Sequence, residues 1–407
     1  MKIDYILSNY PAKPTVFIYR EIRELIRNGH AVRIISLSPK ILSKLSHNSD
    51  VLEKSEVIYP SSNPLFYILS TIYCMLAGKS VLFSAEHYKT SFHLISKKNI
   101  FKIIYNSLVI DNLVYKLMKK PETINHIHTH HLFLSTYTTY EIAKRINTTF
   151  SITLHTLSYF YPQSTLKNIL KKAIFLRTIS SELAPYYNPI IQDISKFHYI
   201  SNGIHSHEFI LNPSFKINAE IQIIAVGALL DKKGFDTLIF SCAILKDYGL
   251  NFKCKIYGEG PEKKLLKNLI KSLALEQNVE LIEWTENPII LKQISDADIL
   301  VMPSRPPVRS TRDGLPTVII EAMASGTIVI GSNFAGIPDI IKHKETGLLV
   351  TPESDKEIAN AIIEIYFDNT LRELLITNAL QKIRTDYSLE PNISKLQKLF
   401  KSSIFPE

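Results

Sequence analysis

The chain has 407 residues, of which 45% are hydrophobic and 21% charged, the composition of a soluble globular protein with room for two domains. Its three cysteines lack metal-ligand spacing, which argues against a disulfide framework and predicts a reducing compartment. The net charge of +9 is concentrated in residues 1–210, where 24 basic side chains face 13 acidic ones. Such a basic half favours an anionic partner.

The front half alternates predicted strands with predicted helices. Apolar runs and helical spacing predict, in order, strands at 3–7, 31–37, 124–129 and 150–154, and helices at 16–28 and 134–146. Strand, helix and strand in this order indicate a parallel sheet with right-handed crossovers.

Residues 62–120 are helical in character, aromatic and basic. Their longest apolar run, residues 65–77, has 13 residues and is shorter than the roughly 20 that a membrane-spanning helix needs. Lysines beside apolar runs favour an anionic membrane surface over nucleic acid as the partner. A basic face that is merely solvated is the alternative.

A second alternating series follows a predicted linker at 205–218. It consists of strands at 221–226, 252–257, 279–282, 299–302 and 328–330, and helices at 235–248, 261–273 and 288–295. Two such series predict two doubly wound α/β domains, 1–208 and 209–387. A basic amphipathic helix at 392–402 ends the chain, and the segment 388–407 is expected to pack back on the first domain.

Two carboxylates lie eight residues apart in Asp313-Gly-Leu-Pro-Thr-Val-Ile-Ile-Glu321. Pro316 suits a first helical turn and Gly326 suits a helix end, so Asp313 falls on the loop and Glu321 inside the helix. The free N–H groups of a helix N-terminus bind phosphates. A ligand with hydroxyls at both ends and phosphates in the middle would suit this arrangement, and a nucleotide diphosphate sugar is such a ligand. A capped surface helix with two solvated acids fits equally well.

Two glycine motifs precede that stretch. Gly258-Glu-Gly260 has Lys263 where a dinucleotide fingerprint needs its third glycine, which argues against a dehydrogenase. Gly227 is followed by Lys232-Lys233-Gly234, so two lysines stand before a predicted helix, where a lysine can neutralise a phosphate. A solvated lysine pair is the alternative.

Histidines cluster on the predicted front sheet. His126, His128 and His130 alternate on one side of a strand and His131 falls on the other side. No nearby acid or cysteine completes a metal set, so we expect no metal. His155 closes the next strand, and His130, His131 and His155 should share the carboxyl edge of the sheet, where such folds bind ligands.

Taken in order, these motifs resemble the retaining glycosyltransferases of family 4, which have the GT-B fold. The motifs are Gly227…Lys233-Gly234, Gly258-Glu-Gly-Pro261, Pro303-Ser304, Asp313…Glu321-Ala-Met-Ala-Ser-Gly326, Gly336-Ile-Pro-Asp339 and Thr346-Gly-Leu-Leu-Val350. The front half agrees through Asn9-Tyr-Pro11, Gly29-His30, His128-Thr-His130, Thr153-Leu-His155 and Asn202-Gly-Ile204. The resemblance covers nearly the whole chain and is most specific over residues 226–350.

The resemblance implies two Rossmann-like domains with an interdomain cleft, and a set of donor-binding residues. Glu321 would bind the ribose hydroxyls, Asp313 the hydroxyls of the donor sugar, and Lys233 the diphosphate. The other implied donor contacts are Gly227, Gly258, Gly260, Gly314, Leu315, Pro316 and Thr317. His155, Lys233 and Asp313 would be catalytic. His130, Lys232 and Arg312 are further candidates for phosphate or cleft contacts.

Two positions depart from the family pattern. The family usually has glutamate where Asp313 stands, and an arginine where this chain has Ala228. A missing arginine removes a bidentate phosphate clamp. Lys232 is a candidate to compensate, as are three arginines before Asp313, namely Arg305, Arg309 and Arg312.

The implied activity is retaining hexosyl transfer from a nucleotide diphosphate sugar to a glycan or lipid-linked acceptor. The segment 62–120 and the pair Phe17 and Glu21 resemble members that build bacterial polysaccharides or lipid-linked glycans. Front-face attack, in which the departing phosphate takes the acceptor's proton, needs no cofactor and no divalent metal. The expected location is cytoplasmic, peripheral at the inner face of the membrane, with no nucleic-acid partner. A GT-B nucleotide-sugar epimerase or hydrolase, and a catalytically weak carbohydrate-binding subunit, are the alternatives.

Overall fold

The computed structural model describes residues 1–10, 16–38, 55–82, 84, 87–88, 90–91, 100–120, 125–157, 161–205, 207, 219–307 and 314–404. The chain divides into two compact units. Unit 1 is Met1–Gly203 with Leu389–Glu407, and unit 2 is Ile204–Ser388. The sequence analysis sets these boundaries at 208/209 and 387/388, a few residues away.

Unit 1 is built on a seven-stranded parallel sheet in the order β3-β2-β1-β4-β5-β6-β7. Its strands are β1 Lys2–Leu7, β2 Ala31–Ser36, β3 Glu56–Ile58, β4 His126–His130, β5 Thr149–Leu154, β6 Leu176–Thr178 and β7 Phe197–Tyr199. Its helices before residue 204 are α1 Val16–Arg27, α2 Pro64–Leu76, α3 Ile100–Met118, α4 Leu134–Ile146, α5 Gln163–Lys172 and α6 Leu183–Ile191. The strand order reverses between β1 and β4.

Unit 2 is built on a six-stranded parallel sheet in the order β10-β9-β8-β11-β12-β13. Its strands are β8 Ile221–Val226, β9 Phe252–Tyr257, β10 Val279–Ile282, β11 Ile299–Met302, β12 Ile328–Ser332 and β13 Leu348–Val350. Its helices are α7 Phe235–Asp247, α8 Lys263–Ser272, α9 Asn287–Ser295, α10 Thr317–Ala324, α11 Ile337–Ile340, α12 Asp355–Phe367 and α13 Asn369–Asp386. The order reverses between β8 and β11, the position at which doubly wound sheets bind ligands.

The last helix, α14 Leu389–Ile404, belongs to unit 1. Leu389, Ile393, Leu396 and Phe400 are buried in the same apolar cluster as Ile22 of α1. Their spacing places them on one helical face, so the helix covers a face of the first sheet.

The two parallel sheets with intervening helices confirm the predicted α/β fold class. The prediction omitted β3, β6, β7, β13, α5, α6, α11, α12 and α13. The four strands have three residues each, which is too short to show a period. Among the described residues, no helix is long and apolar enough to cross a membrane.

Candidate active site

The loops after β8, β9 and β11 meet backbone to backbone at the carboxyl edge of the second sheet. A Cβ on Gly258 would lie 1.9 Å from the Gly227 carbonyl oxygen. A Cβ on Gly234 would lie 2.0 Å from the Pro303 carbonyl oxygen, and Gly234 also has a φ of +64°. Only glycine fits such contacts, so the motif glycines bring three loops together at the switch point of unit 2.

Lys233 lies over this junction. It closes the 3₁₀ turn Asp231–Lys233 that leads into α7. Its Cε is 3.5 Å from the position that a Cβ on Gly227 would occupy. The stem of the lysine therefore packs on the Gly227 loop, and its ammonium belongs to the same edge of the sheet.

Arg305 is held by acids of the neighbouring turn and helix. Its Nη2 lies 2.5 Å from Asp231 Oδ1 and its Nη1 lies 3.0 Å from Asp236 Oδ2. These two carboxylates neutralise the guanidinium, so Arg305 is a weak candidate to replace the clamp missing at Ala228. The other two arginines considered, Arg309 and Arg312, lie outside the described residues, as does Asp313.

Helix α10 begins at Thr317, directly after Pro316. The sequence analysis places Pro316 in the first turn, and this is wrong by one residue because its ψ of 109° is extended. Gly326 ends the helix region with a φ of +81°, as expected. Gly314 and Leu315 are buried on the approach, and Glu321 lies in the second turn, half-buried.

A serine hydroxyl completes the edge. Ser304 follows β11 and is 1% exposed, and its Oγ has no hydrogen-bond partner within the described part of the chain. A buried hydroxyl without a partner is rare in native proteins, and a role at a functional site is one physical explanation for it.

In unit 1, the predicted histidine cluster forms a ladder between β4 and β5. His126 hydrogen bonds with Thr149 Oγ1 at 2.8 Å and Ser151 Oγ at 2.7 Å. His128 hydrogen bonds with Ser151 Oγ at 2.7 Å and Thr153 Oγ1 at 2.8 Å. Both rings are fully buried, and burial lowers the pKa of His126 to about 3. These two histidines are neutral structural links between strands.

The end of the ladder joins a buried carboxylate that the sequence analysis did not place there. His130 Nε2 lies 3.2 Å from Glu21 Oε1, and His130 Nδ1 lies 2.9 Å from His155 Nε2. The Tyr5 hydroxyl donates to Glu21 Oε1 at 2.7 Å, and the Arg177 guanidinium donates to Glu21 Oε2. Burial alone would raise the pKa of Glu21, but Arg177 and His130 outweigh it and hold that pKa well below the usual range.

Glu21 corrects one step of the metal argument. The ligand atoms of Glu21, His128 and His130 all lie within 4.8 Å of one another, so the statement that no acid stands near the histidines is wrong. The Glu21 carboxylate already accepts hydrogen bonds from Arg177 and Tyr5, and both ring nitrogens of His128 are hydrogen bonded. The group is a closed network of protein side chains.

His131 and His155 follow the carboxyl ends of β4 and β5. Their ring centroids are 4.2 Å apart, and the Phe17 ring lies 4.8 Å from that of His155. Burial, reinforced by neighbouring histidines, lowers the pKa of His155 far below 6.5. The structure thus brings His130, His131 and His155 together, with His155 neutral at physiological pH.

A family model matches the part of the chain that forms the carboxyl edge of the second sheet. Residues 207–382 match the family described as glycosyl transferases group 1. The predicted resemblance to glycosyltransferases is therefore confirmed.

Similar curated proteins include a putative colanic acid biosynthesis glycosyltransferase of Salmonella typhimurium. It is 29% identical over 184 residues, which are 45% of this chain and 45% of the relative. The matched segments span less than half the length of the first curated relatives.

Solved structures extend the likeness of fold to the whole chain. A sucrose-phosphate synthase from Thermosynechococcus elongatus superposes with a TM-score of 0.75 at 19% identity, covering 98% of both chains. An Anabaena protein solved in complex with UDP-glucose superposes with a TM-score of 0.73 at 16% identity, covering 99% of this chain and 100% of that one. At these identities the likeness establishes the fold, which is of the predicted GT-B type.

Proposed function

We propose that this protein is a retaining hexosyltransferase of family 4. It moves a sugar from a nucleotide diphosphate sugar to a glycan or lipid-linked acceptor in cell-surface polysaccharide biosynthesis. The observation that carries the proposal is the junction in unit 2, where Gly234 and Gly258 hold three loops together and Lys233 lies over Gly227. The Salmonella relative, named for colanic acid biosynthesis, supports the polysaccharide role.

The donor would lie along the carboxyl edge of the second sheet. Lys233 and the first N–H groups of α10 suit a diphosphate, because a lysine and a helix N-terminus both attract anions. Glu321, one turn inside α10, is assigned to the ribose hydroxyls. Asp313 is assigned to the hydroxyls of the transferred sugar. The UDP-glucose complex of the Anabaena structure supports a donor of this class.

The proposed chemistry keeps the anomeric configuration. The bond between the anomeric carbon and the diphosphate breaks, and the acceptor hydroxyl forms the new bond on the same face. The departing phosphate oxygen takes the acceptor's proton, so atoms and charge balance without a side-chain nucleophile. Lys233 and the helix N-terminus stabilise the charge that develops on the leaving group. The proposal requires no cofactor and no divalent metal.

The first experiment is a panel of UDP-, GDP- and dTDP-sugars, scored by thermal stabilisation of the full chain. The stabilising donor is then assayed for transfer in EDTA. We expect Lys233→Ala to lower kcat/KM about 100-fold, the scale for losing a group that stabilises the leaving charge. Glu321→Ala should weaken donor binding about tenfold, as for a lost hydrogen bond to a charged group.

Two exposed side chains of unit 2 provide matched controls, Lys264→Ala on α8 and Glu373→Gln on α13. Both controls should retain donor affinity and turnover. Unchanged donor affinity in Glu321→Ala would remove the ribose assignment, and loss of activity in EDTA would contradict the metal-free reaction. Rapid nucleotide release from donor alone would indicate a hydrolase or epimerase instead.

A binding subunit is the second candidate, and Ala228 is the observation that favours it. Ala228 is exposed on the Gly227 loop, where an arginine would reach a diphosphate. Donor affinity without transfer to any acceptor would support this candidate. Restoration of turnover by Ala228→Arg would show that the missing clamp limits catalysis.

A further inference from the structure

Helix α2 exposes its most apolar side chains. One stripe of the helix faces solvent with Leu65 60% exposed, Ile68 54%, Leu69 54%, Ile72 47% and Leu76 85%. The opposite stripe is buried and carries Tyr67, Ser70, Thr71 and Cys74. A helix on the surface of a soluble protein normally has the reverse arrangement, with its polar stripe outward.

The first turns of α3 extend this apolar surface. Phe101 is 81% exposed, Ile104 37% and Tyr105 47%. The two helices pack together, because the Tyr67 and Tyr105 ring centroids are 6.0 Å apart and Asn112 Nδ2 donates to Ser70 Oγ at 3.2 Å. Exposed apolar residues from two neighbouring helices therefore lie on one region of unit 1.

The exposed charges of α2 and α3 are all positive. Helix α2 contains no charged residue, and the one acid of α3, Asp111, is buried. The Asp111 carboxylate accepts hydrogen bonds from Ser80 Oγ at 2.6 Å and from the Val81 backbone N–H at 2.9 Å. Lys119 Nζ lies 4.9 Å from the Tyr73 ring centroid. The sequence from 57 to 120 holds eight lysines and two acids, Glu86 and Asp111.

We define the apolar–basic face as the exposed apolar residues of α2 and α3 with the lysines beside them. Its members are Leu65, Ile68, Leu69, Ile72, Leu76, Phe101, Ile104, Tyr105, Lys79, Lys102 and Lys119. We propose that this face docks on an anionic lipid surface, with its apolar side chains in the interface between headgroups and acyl chains. The 13 residues of α2 span about 20 Å, so the helix lies along the surface and does not cross it.

Charge complementarity favours lipid over the other occupants. A second copy of the face would place lysines against lysines with no exposed acid of α2 or α3 to pair with them. Nucleic acid would attract the lysines but would leave the leucines and isoleucines in water. An anionic bilayer suits both the lysines and the apolar side chains of the face, because its headgroups attract lysine and its acyl chains accept apolar side chains.

Vesicle sedimentation of the full chain tests the proposal. Vesicles of phosphatidylcholine alone are compared with vesicles that also contain phosphatidylglycerol. We expect binding to the mixed vesicles, weakened by salt. The double variant Leu69→Glu with Ile72→Glu should bind about tenfold or more weakly, because acids in the interface face both lipid and like charge. Its unfolding temperature should stay near that of the parent, since both positions are exposed.

Two leucines of unit 2 have matching exposure, Leu265 at 54% and Leu374 at 46%. The control Leu265→Glu with Leu374→Glu should bind vesicles as the parent does. Equal losses in both double variants, or binding that ignores phosphatidylglycerol, would overturn the proposal. A dimer in solution that only Leu69→Glu with Ile72→Glu dissociates would assign the face to a second copy.

The inference rests on the proposed transfer to a lipid-linked acceptor and on the membrane location expected from the sequence, but its readout requires neither donor nor turnover. Vesicle binding without sugar transfer from any donor would support the lipid-docking face and contradict the proposed transferase activity. Sugar transfer to a soluble acceptor without vesicle binding would support the transferase activity and contradict the lipid-docking face.

Discussion

Glu21 is a buried carboxylate of α1 whose partners come from three strands of the first sheet. Tyr5 belongs to β1, His130 to β4 and Arg177 to β6. Arg177 also donates to the Ile200 carbonyl at 2.9 Å, so one guanidinium joins the carboxylate to the chain beyond β7. A charge placed at such a junction stabilises the unit only while every partner is present.

We predict that Glu21→Gln strongly destabilises unit 1. The neutral amide would leave the Arg177 guanidinium buried without its counter-charge, a loss on the order of 3–5 kcal/mol for a broken buried pair. Chemical denaturation followed by circular dichroism measures the free energy of unfolding.

Glu56→Gln is the control for this prediction. The Glu56 side chain is 40% exposed and pairs with Lys120 and, at 3.7 Å, with Arg33. Because Arg33 keeps its closer partner Asp4 at 2.6 Å, the removal of the Glu56 charge should cost about 1 kcal/mol or less. A cost for Glu21→Gln no larger than that of Glu56→Gln would show that the network contributes little to stability.

The sequence contains a signal that Glu21 is buried. Ile18, Ile22 and Leu25 form the buried stripe of α1, and Glu21 lies on the same stripe. A charged residue at a core-facing position of an amphipathic helix needs a buried partner. Which partner it has cannot be read from the sequence, because Arg177 is 156 residues away.

At the scale of the element, replacement of Gly234 in the junction of unit 2 is disfavoured for two separable reasons, and Gly249, outside the junction, shares only one of them. Gly234 and Gly249 both have positive φ, +64° and +83°. A Cβ on Gly234 would meet the Pro303 carbonyl oxygen, whereas a Cβ on Gly249 would meet nothing within 4 Å. The pair therefore separates backbone strain from collision between loops.

We predict that Gly249→Ala costs about 1–2 kcal/mol, the strain of a left-handed backbone. Gly234→Ala should cost more, because the β8 and β11 loops must also move apart. It should in addition weaken binding of the donor, which Gly249→Ala should leave unchanged. Denaturation and donor titration of both variants measure the two effects. Equal costs with donor binding intact in both would mean that the contact between the loops is not needed for the site.

The sequence pattern of β4 predicts where its histidines lie but not which side chains they contact. The alternation of histidines in β4 predicted that their side chains lie on one face of the strand, and the structure pairs them with alternate hydroxyl residues of β5. The ladder that results, with Ser151 between His126 and His128, depends on the pairing register, which no single strand specifies. The sequence therefore predicted the cluster and its edge, but could not distinguish hydrogen-bonded rings from ligands.

At the scale of the whole molecule, buried neutral histidines are concentrated in one unit. Burial lowers the pKa of His87 to about 4 and of His126 and His131 to about 3, and all three lie in unit 1. The pKa values of His128 and His155, also in unit 1, are lowered well below 6.5, first by burial and then by neighbouring charges. In the unfolded chain these rings titrate near 6.5.

This distribution predicts that mild acid destabilises unit 1 selectively. Above pH 6.5 both folded and unfolded forms carry neutral rings, so the free energy of unfolding is unaffected. Between pH 6.5 and about 4 the unfolded chain binds protons that the folded unit excludes. Each such histidine then lowers the free energy of unfolding by about 1.4 kcal/mol per pH unit.

Hydrogen exchange at pH 7 and pH 5, corrected for intrinsic rates, locates the effect. Protection should fall in β4 and β5 and hold in β8 and β9. Trp284, the single tryptophan, lies in unit 2 and reports that unit by fluorescence.

His87→Gln should reduce the acid dependence of unit 1. The His87 ring lies between Tyr137 Oη at 3.1 Å and Ser107 Oγ at 2.8 Å, and an amide at that position does not titrate. His343→Gln in unit 2 is the control. Equal loss of protection in β8 and β4 would contradict the assignment of the acid response to the buried rings, since that outcome requires a destabilisation shared by both units.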